Sequence, residues 1–162
     1  KFADPTRKVQ MSDSGKVIVQ HGKKAGKEQT VILSQSAGKI ETRDGVTLKR
    51  DENGFPVFHS KFDTVVPDNL LGNSDHGSHF QYSNERVRDA LKSNPGLAQE
   101  MGLTDMQVTH FLKEPPHKAP PSGLTWHHHQ DTGRMQLVSL AEHEAFVPHT
   151  GGMSIWGGGY KR

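Results

Sequence analysis

The sequence predicts an α+β fold with a small antiparallel β region, a helical middle segment and a strand–strand–helix unit near the C-terminus. Two observations predict the β region and the helical segment. Short β-rich runs alternate with turn residues between positions 16 and 48, and apolar residues then recur three or four apart between Ser83 and Glu114. A third observation, the return of strand patterning after residue 123, predicts the strand–strand–helix unit. At 162 residues the chain allows one domain with a small appendage, and we divide it into regions 1–79 and 80–162.

The N-terminal region is expected to form hairpins. Its runs at 17–20, 30–33 and 45–48 are rich in valine, isoleucine and threonine and are separated by glycine-containing turns. Pro56 and Pro67 then break the pattern, because proline has no backbone N–H and restricts the residue before it. Residues 51–80 are therefore expected to be loop and irregular structure.

Three short helices are predicted for the middle segment. Ser83 is expected to cap the first helix, which ends near Asn94, and the second ends at Gly102. Thr104 and Gln107 form a capping box at the start of the third helix. Four prolines between residues 115 and 121 then predict a stiff connector.

The C-terminal unit is predicted to be two strands followed by a helix. Residues 124–130 and 135–138 read as strands joined by a tight turn. Ser139 is a good N-cap, with Glu142 three residues on, and Pro148 prevents the helix from continuing. This predicts a ββα unit.

Composition excludes several kinds of site and anchor. Cysteine is absent, so disulfides and thiolate metal sites are excluded, and a metal would need His, Asp, Glu, Asn or Gln ligands. No run approaches the roughly 20 apolar residues of a membrane span. Residues 1–4 are mostly polar and do not open a secretory signal. The missing initiator methionine suggests a piece of a longer protein, although processing would leave the same start.

Charge is unevenly distributed along the chain. Residues 1–50 carry 11 Lys and Arg against 5 Asp and Glu, although the net charge is only +2. A basic segment can contact the phosphates of a nucleic acid, or it can be an ordinary solvated surface.

Histidines concentrate near the C-terminus. Five of the eleven lie between residues 127 and 149. Imidazole can bind a divalent metal at neutral pH and can also accept a proton from water, so this cluster indicates a metal-assisted hydrolytic site. The alternatives are a purification-tag remnant, which would be terminal and longer, and a solvated loop without a function. His76 and His79 have ligand-like spacing, but we expect surface positions for them.

The residues around this cluster resemble a known nuclease superfamily. The matching text is Thr125-Trp126-His127-His128-His129-Gln130-Asp131, then residues 135–138, His143, and His149-Thr150-Gly151-Gly152. It resembles the HNH/endonuclease VII superfamily of ββα-metal nucleases, in the toxin-associated branch named for a Trp-His-His motif. The resemblance covers about residues 80–160, and nothing before residue 80 contributes.

The resemblance implies one divalent cation, either Mg²⁺ or Zn²⁺, with Mn²⁺ and Ni²⁺ as alternatives. His127 and His143 match the usual metal ligands, and His128 matches the general base that activates water. A metal-bound imidazole cannot accept a proton, so ligand and base need separate histidines. His149 is expected to be either a third ligand or a contact to phosphate, because Val147 stands where relatives carry the second helical histidine.

The remaining site residues are given supporting roles by the same resemblance. Gln136 lies where relatives carry an asparagine that braces the site, and Gln130 belongs to the same motif. His129 should point opposite His128 on a regular strand, as a substitute ligand for His127 or as support for a ligand. Further candidates are Trp126, as a packing anchor rather than a stacking platform for a base, and Arg134, as a phosphate contact or a solvated turn residue.

The implied function is a non-specific metal-dependent DNase that acts as the C-terminal toxin domain of a larger secreted or delivered bacterial effector. It would act in the cytoplasm of the target cell and travel with a cognate immunity protein. One alternative is an RNase toxin, since the same metal and base can hydrolyse either backbone. The other is a structural zinc-binding module without activity.

Overall fold

A computed structural model of the chain describes residues 5–72 and 75–159; the polar opening at residues 1–4 lies outside them. The α-helices in this part of the chain are α1 (His76–Ser93), α2 (Leu97–Met101), α3 (Asp105–Phe111), α4 (Leu140–Ala145) and α5 (Gly152–Ile155). The strands are β1 (Val17–Ile18), β2 (Glu28–Gln29), β3 (Ile40–Arg43), β4 (Val46–Arg50), β5 (Pro56–Val57), β6 (Phe62–Val65), β7 (Leu124–His128) and β8 (Arg134–Ser139). The result is a mixed fold of small antiparallel sheets and helices, consistent with the predicted α+β class.

Three small sheets organise these strands. Their strand orders are β1-β2, β3-β4-β5 and β6-β8-β7, and every pairing is antiparallel. The prediction of an N-terminal β region is confirmed, but the strand expected at 30–33 is wrong. Leu33 adopts a left-handed conformation at φ 63° and leads into a short 3-10 helix at Ser34–Ser36. The strand that pairs with β1 is β2, which ends just before residue 30.

The prediction that residues 51–80 are irregular is also wrong in part. They contain β5, β6 and the start of α1. β6 pairs with β8 in the register Phe62 to Leu137 and Val65 to Arg134. Pro56 lies in β5, an edge strand of the β3-β4-β5 sheet, and Pro67 follows β6, so neither proline interrupts the hydrogen bonding of β6.

Helix α1 begins earlier than predicted. Asp75 is its N-cap, and the Asp75 carboxylate accepts a hydrogen bond from the backbone N–H of Ser78. Ser83 lies inside the helix, where its hydroxyl donates to the carbonyl of His79 at 2.7 Å. A serine can satisfy its hydroxyl on the preceding turn in this way, so a serine in a periodic segment need not mark a helix start.

The other three predicted helix boundaries in the middle segment are confirmed. Asn94 is the C-cap of α1. Gly102 ends α2 in a left-handed conformation at φ 70°. The capping box of Thr104 and Gln107 opens α3, with both of its reciprocal hydrogen bonds present.

The predicted order of two strands and a helix is present at the C-terminal end. β7 and β8 pair so that His127 lies opposite Gln136, and β7 ends at His128, two residues earlier than expected. The Ser139 hydroxyl caps α4 by accepting from the backbone N–H of Glu142, as predicted. This arrangement places α4 directly after the strand that pairs with the histidine-bearing strand.

The main core lies between the β6-β8-β7 sheet and the helices. It contains Trp126, Leu137 and Val87, all at most 2% exposed. The Trp126 indole N–H donates to Asn84 Oδ1 at 2.7 Å, which joins β7 to α1. Trp126 therefore packs in this core, and its predicted role at the site remains a prediction. Within the described residues, the helices are too short or too polar to cross a lipid bilayer.

Candidate active site

Three histidines from β7 and the α4 region come together. Each of His127, His143 and His149 offers a ring nitrogen, and these nitrogens all lie within 4.8 Å of one another. The ring centroids are 5.4 Å apart for His127 and His143, and 5.0 Å apart for His143 and His149. We call these residues the histidine triad. Their spacing allows one ion to contact all three.

The chain turn after α4 explains how His149 joins the triad. α4 ends at Ala145, and Pro148 cannot continue the helix, so the chain turns back. His149 Nδ1 lies 3.1 Å from the carbonyl oxygen of Phe146, which can only accept a hydrogen bond. His149 therefore donates from Nδ1 and keeps its lone pair on Nε2, an arrangement typical of metal-binding histidines.

Phe58 forms an apolar wall beside the triad. Its ring centroid lies 4.7 Å from that of His127, 5.3 Å from that of His143 and 5.5 Å from that of His149. Sequence reasoning missed this residue because it lies in the segment expected to be irregular. No local pattern marks it, since Phe58 packs with Val138 of β8 and Phe146 only in the tertiary structure.

Burial keeps the triad histidines neutral. Loss of solvent lowers the pKa of His127 well below its usual value, and the neighbouring imidazoles add to the effect. Burial also lowers the pKa of His143 to about 4 and lowers that of His149. Neutral imidazoles carry the lone pairs that a transition-metal cation needs, so the triad could hold such an ion at neutral pH.

His128 lies next to the triad and contacts a different partner. Its Nε2 is 3.0 Å from Nδ1 of His79 on α1. Burial, with His79 second, lowers the pKa of His128 well below its usual value. His128 and the three triad residues line one cleft of about 410 Å³. His79 was expected at the surface but is fully buried, so that expectation is wrong; its spacing from His76 gave no sign of the contact.

His129 and Arg134 lie in a separate polar group beside the turn after β7. His129 Nδ1 accepts from the backbone N–H of Asp131 at 3.0 Å, and Arg134 Nε donates to Asp63 at 2.7 Å. Burial and the Arg134 charge lower the pKa of His129 to about 3. His129 is therefore outside the triad, and its expected use as a substitute ligand is not supported by this geometry. The Arg134 guanidinium already has a carboxylate partner.

The two glutamines also contact acidic side chains. Gln136 Nε2 lies 3.4 Å from Asp63 Oδ2, and Gln130 Nε2 donates to Asp51 Oδ2 at 3.2 Å. Both glutamines are buried. These contacts tie the hairpin to the segment before α1, and the functional roles predicted for Gln130 and Gln136 remain predictions.

His127 is buried and His143 and His149 are half-buried in the cleft. Such a cluster of neutral imidazoles could hold a metal, and a further imidazole beside it could accept a proton, as a metal-assisted hydrolase site requires. The model of a known family, the DNase/tRNase domain of colicin-like bacteriocins, matches residues 48–151, more than half of the chain. The chain belongs to this family, and it is a nuclease toxin domain. The match begins well before residue 80, so the expectation that earlier residues contribute nothing is wrong. The comparison with curated proteins gave no match.

Proposed function

We propose that the chain is a metal-dependent endonuclease with a ββα-metal core of the HNH type, in the Trp-His-His branch, and that its preferred substrate is DNA. The observation that carries this proposal is the shared cleft, where three neutral imidazoles converge within 4.8 Å and His128 lies beside them. The division into regions 1–79 and 80–162 is part of the proposal. The second region carries the four histidines of the cleft, and the first supplies β6 and Phe58.

The triad fits a transition-metal cation better than Mg²⁺. His127, His143 and His149 supply only nitrogen donors, which suit Zn²⁺ or Ni²⁺, whereas Mg²⁺ prefers oxygen. A bound cation would stabilise negative charge on the scissile phosphate and on the leaving oxygen. Three protein ligands leave a coordination position open, as in catalytic rather than structural zinc sites.

His128 is proposed as the general base. It is outside the triad, so its lone pair remains available, and burial keeps it neutral. The imidazole would take a proton from a water molecule as that water attacks phosphorus. The negative charge of a bound phosphate raises the pKa of a nearby imidazole, which moves His128 back towards the range where it accepts a proton readily. Base catalysis of this kind contributes about 10²–10⁴-fold.

The biological setting is proposed from the family. A nuclease domain of a colicin-like bacteriocin would be delivered from its producer as part of a larger effector, act in the target-cell cytoplasm, and require an immunity protein in the producer. RNA is the second candidate substrate, because the family description names both DNase and tRNase. The basic N-terminal segment suits either polymer, since phosphate contacts do not read sequence.

The test is cleavage of plasmid DNA and of tRNA by the purified chain, with EDTA and with a series of divalent cations. We expect EDTA to stop cleavage while the circular dichroism spectrum remains that of the folded chain. Addition of Zn²⁺ or Ni²⁺ should restore cleavage. His128→Ala and His128→Gln should lose at least about 100-fold in rate yet bind metal normally. His117→Ala, at an exposed position away from the cleft, is the matched control.

Two results would overturn the proposal. If His128→Ala cut as fast as the parent chain, the base assignment would fail. If chelation unfolded the chain and no metal gave cleavage of either polymer, the histidine triad would be a structural metal module instead.

A further inference from the structure

His79 forms a buried link between a backbone carbonyl and His128. It lies in the first turn of α1 and is fully buried. Its Nε2 is 2.8 Å from the carbonyl oxygen of Leu70, and its Nδ1 is 3.0 Å from His128 Nε2. His79 is outside the histidine triad, and the proposed reaction assigns it no role.

The two contacts fix where the protons lie. The Leu70 carbonyl can only accept, so Nε2 of His79 carries a proton. Burial lowers the pKa of His79, so the ring is neutral and has a single N–H. Its Nδ1 is therefore an acceptor, and His128 Nε2 must donate to it. A neutral His128 with its proton on Nε2 has its lone pair on Nδ1.

The surroundings hold both rings in this relation. The Trp156 ring centroid lies 5.5 Å from that of His79 and 5.4 Å from that of His128. The carbonyl of His79 accepts from the Ser83 hydroxyl, which anchors its turn of α1. Among the described residues, His79 is the hydrogen-bond partner of the His128 side chain, and the contact is made through Nε2 of His128. Nδ1 is thus left for a ligand in the cleft that His128 lines.

We propose that His79 is a positioning residue that holds His128 in the tautomer with its proton on Nε2, so that Nδ1 is the atom that takes the proton from water. This inference rests on the proposed nuclease function of His128. The same logic operates in the Ser-His-Asp triad, where a partner that imposes the wrong histidine tautomer lowers kcat by about 10⁴. Here a neutral imidazole fixed by a backbone carbonyl would take the place of the aspartate.

The first test needs no activity. In the metal-free wild-type chain, long-range ¹H–¹⁵N NMR spectra of ¹⁵N-labelled histidine report which nitrogen of His128 is protonated. We expect the proton on Nε2. In His79→Leu, which removes the acceptor, a mixture of the two tautomers should appear. His79→Asn should restore the Nε2–H form, because its side-chain oxygen occupies a position close to that of Nδ1.

The second test uses the loaded enzyme. His79→Leu should lower kcat by at least about 100-fold with little change in KM or in Zn²⁺ affinity, and His79→Asn should recover most of that loss. His117→Leu is the control. A purely structural role would instead lower metal affinity and thermal stability together, without rescue by asparagine.

The outcomes separate this inference from the function itself. A proton on Nδ1 of His128 in the wild-type chain would overturn the positioning role, as would a wild-type kcat in a folded His79→Leu. If His79→Leu failed to fold, the wild-type spectrum would decide. Loss of all cleavage in the wild-type chain, with the Nε2–H tautomer observed, would refute the nuclease proposal and leave the histidine link standing.

Discussion

Acidification of the metal-free chain from pH 7 to pH 5 should lower its free energy of unfolding by at least about 4 kcal/mol. The cause is a set of neutral histidines that are buried or half-buried in the folded chain. The pKa is about 4 for His143 and about 3 for His129 in the folded chain, against 6.5 for an ordinary histidine. The folded pKa values are the lower ones, so the unfolded state binds more protons. Stability is kept above pH 6.5 and is lost as pH falls towards 4.

The magnitude follows from proton linkage. At pH 5 an unfolded histidine is almost fully protonated, whereas His143 and His129 in the folded chain are almost fully neutral. This difference costs about 2 kcal/mol of stability per residue relative to pH 7. The lowered pKa values of His127, His128 and His149 act in the same direction. Total stabilities of domains are about 5–15 kcal/mol, so the loss should be large enough to unfold a substantial fraction of the chain.

The assay is urea unfolding in EDTA at pH 7, 6 and 5, followed by the fluorescence of the two buried tryptophans. His129→Asn keeps an acceptor for the Asp131 N–H and should reduce the loss by about 2 kcal/mol. His117→Asn, at an exposed position, should leave it unchanged. Saturating Zn²⁺ should reduce the loss but leave the share of His129, because imidazoles of the triad that bind metal resist protonation and His129 is outside the triad. An unfolding free energy that stays constant between pH 7 and pH 5 would refute the reasoning.

Three further outcomes are expected. Trp126→Phe removes the N–H that Asn84 Oδ1 accepts and should lower the free energy of urea unfolding by about 1–3 kcal/mol; no measurable loss would contradict it. His149→Ala should weaken Zn²⁺ binding in calorimetry by more than roughly 10–100-fold if it is the third ligand, and unchanged affinity would leave it a phosphate contact. Lys23 and Lys24 line a second cleft that shares Ser154 with the histidine cleft. The double variant Lys23→Ala, Lys24→Ala should reduce the slope of log K for DNA binding against log salt concentration by about 0.9 per lost phosphate contact. Zn²⁺ affinity should not change and serves as the control. An unchanged salt slope would exclude these lysines from the interface.

Elements of the fold that depend on nearby residues could be predicted from the sequence. The capping box of Thr104 and the N-cap of Ser139 are examples, because each is made within one helical turn. Within the described part of the chain, the reciprocal bond expected from Glu142 is absent, because the Glu142 carboxylate contacts His59. β6 could not be predicted in this way. Its four residues are held by a strand about seventy positions later, so its partner is a matter of tertiary structure rather than of local pattern.

The candidate site likewise contains residues that the sequence identified and residues that only the tertiary structure brings in. The resemblance identified His127, His143 and His149 as candidate ligands, and the structure brings them together, while their roles remain predictions. Residues that reach the site from other elements were not identified. His79 meets His128 only because α1 packs behind β7, and Phe58 reaches the triad from the segment after β5.

The pairing of β6 with β8 bears on how the chain can be shortened. A fragment that starts at residue 80 would strip β8 of one neighbour, and its unsatisfied backbone would resemble the open edges through which proteins aggregate. Met135 and Leu137, fully buried in the intact chain, sit on that strand. Such a truncation should therefore precipitate or self-associate, and a smaller working version of the toxin would have to retain residues 62–65.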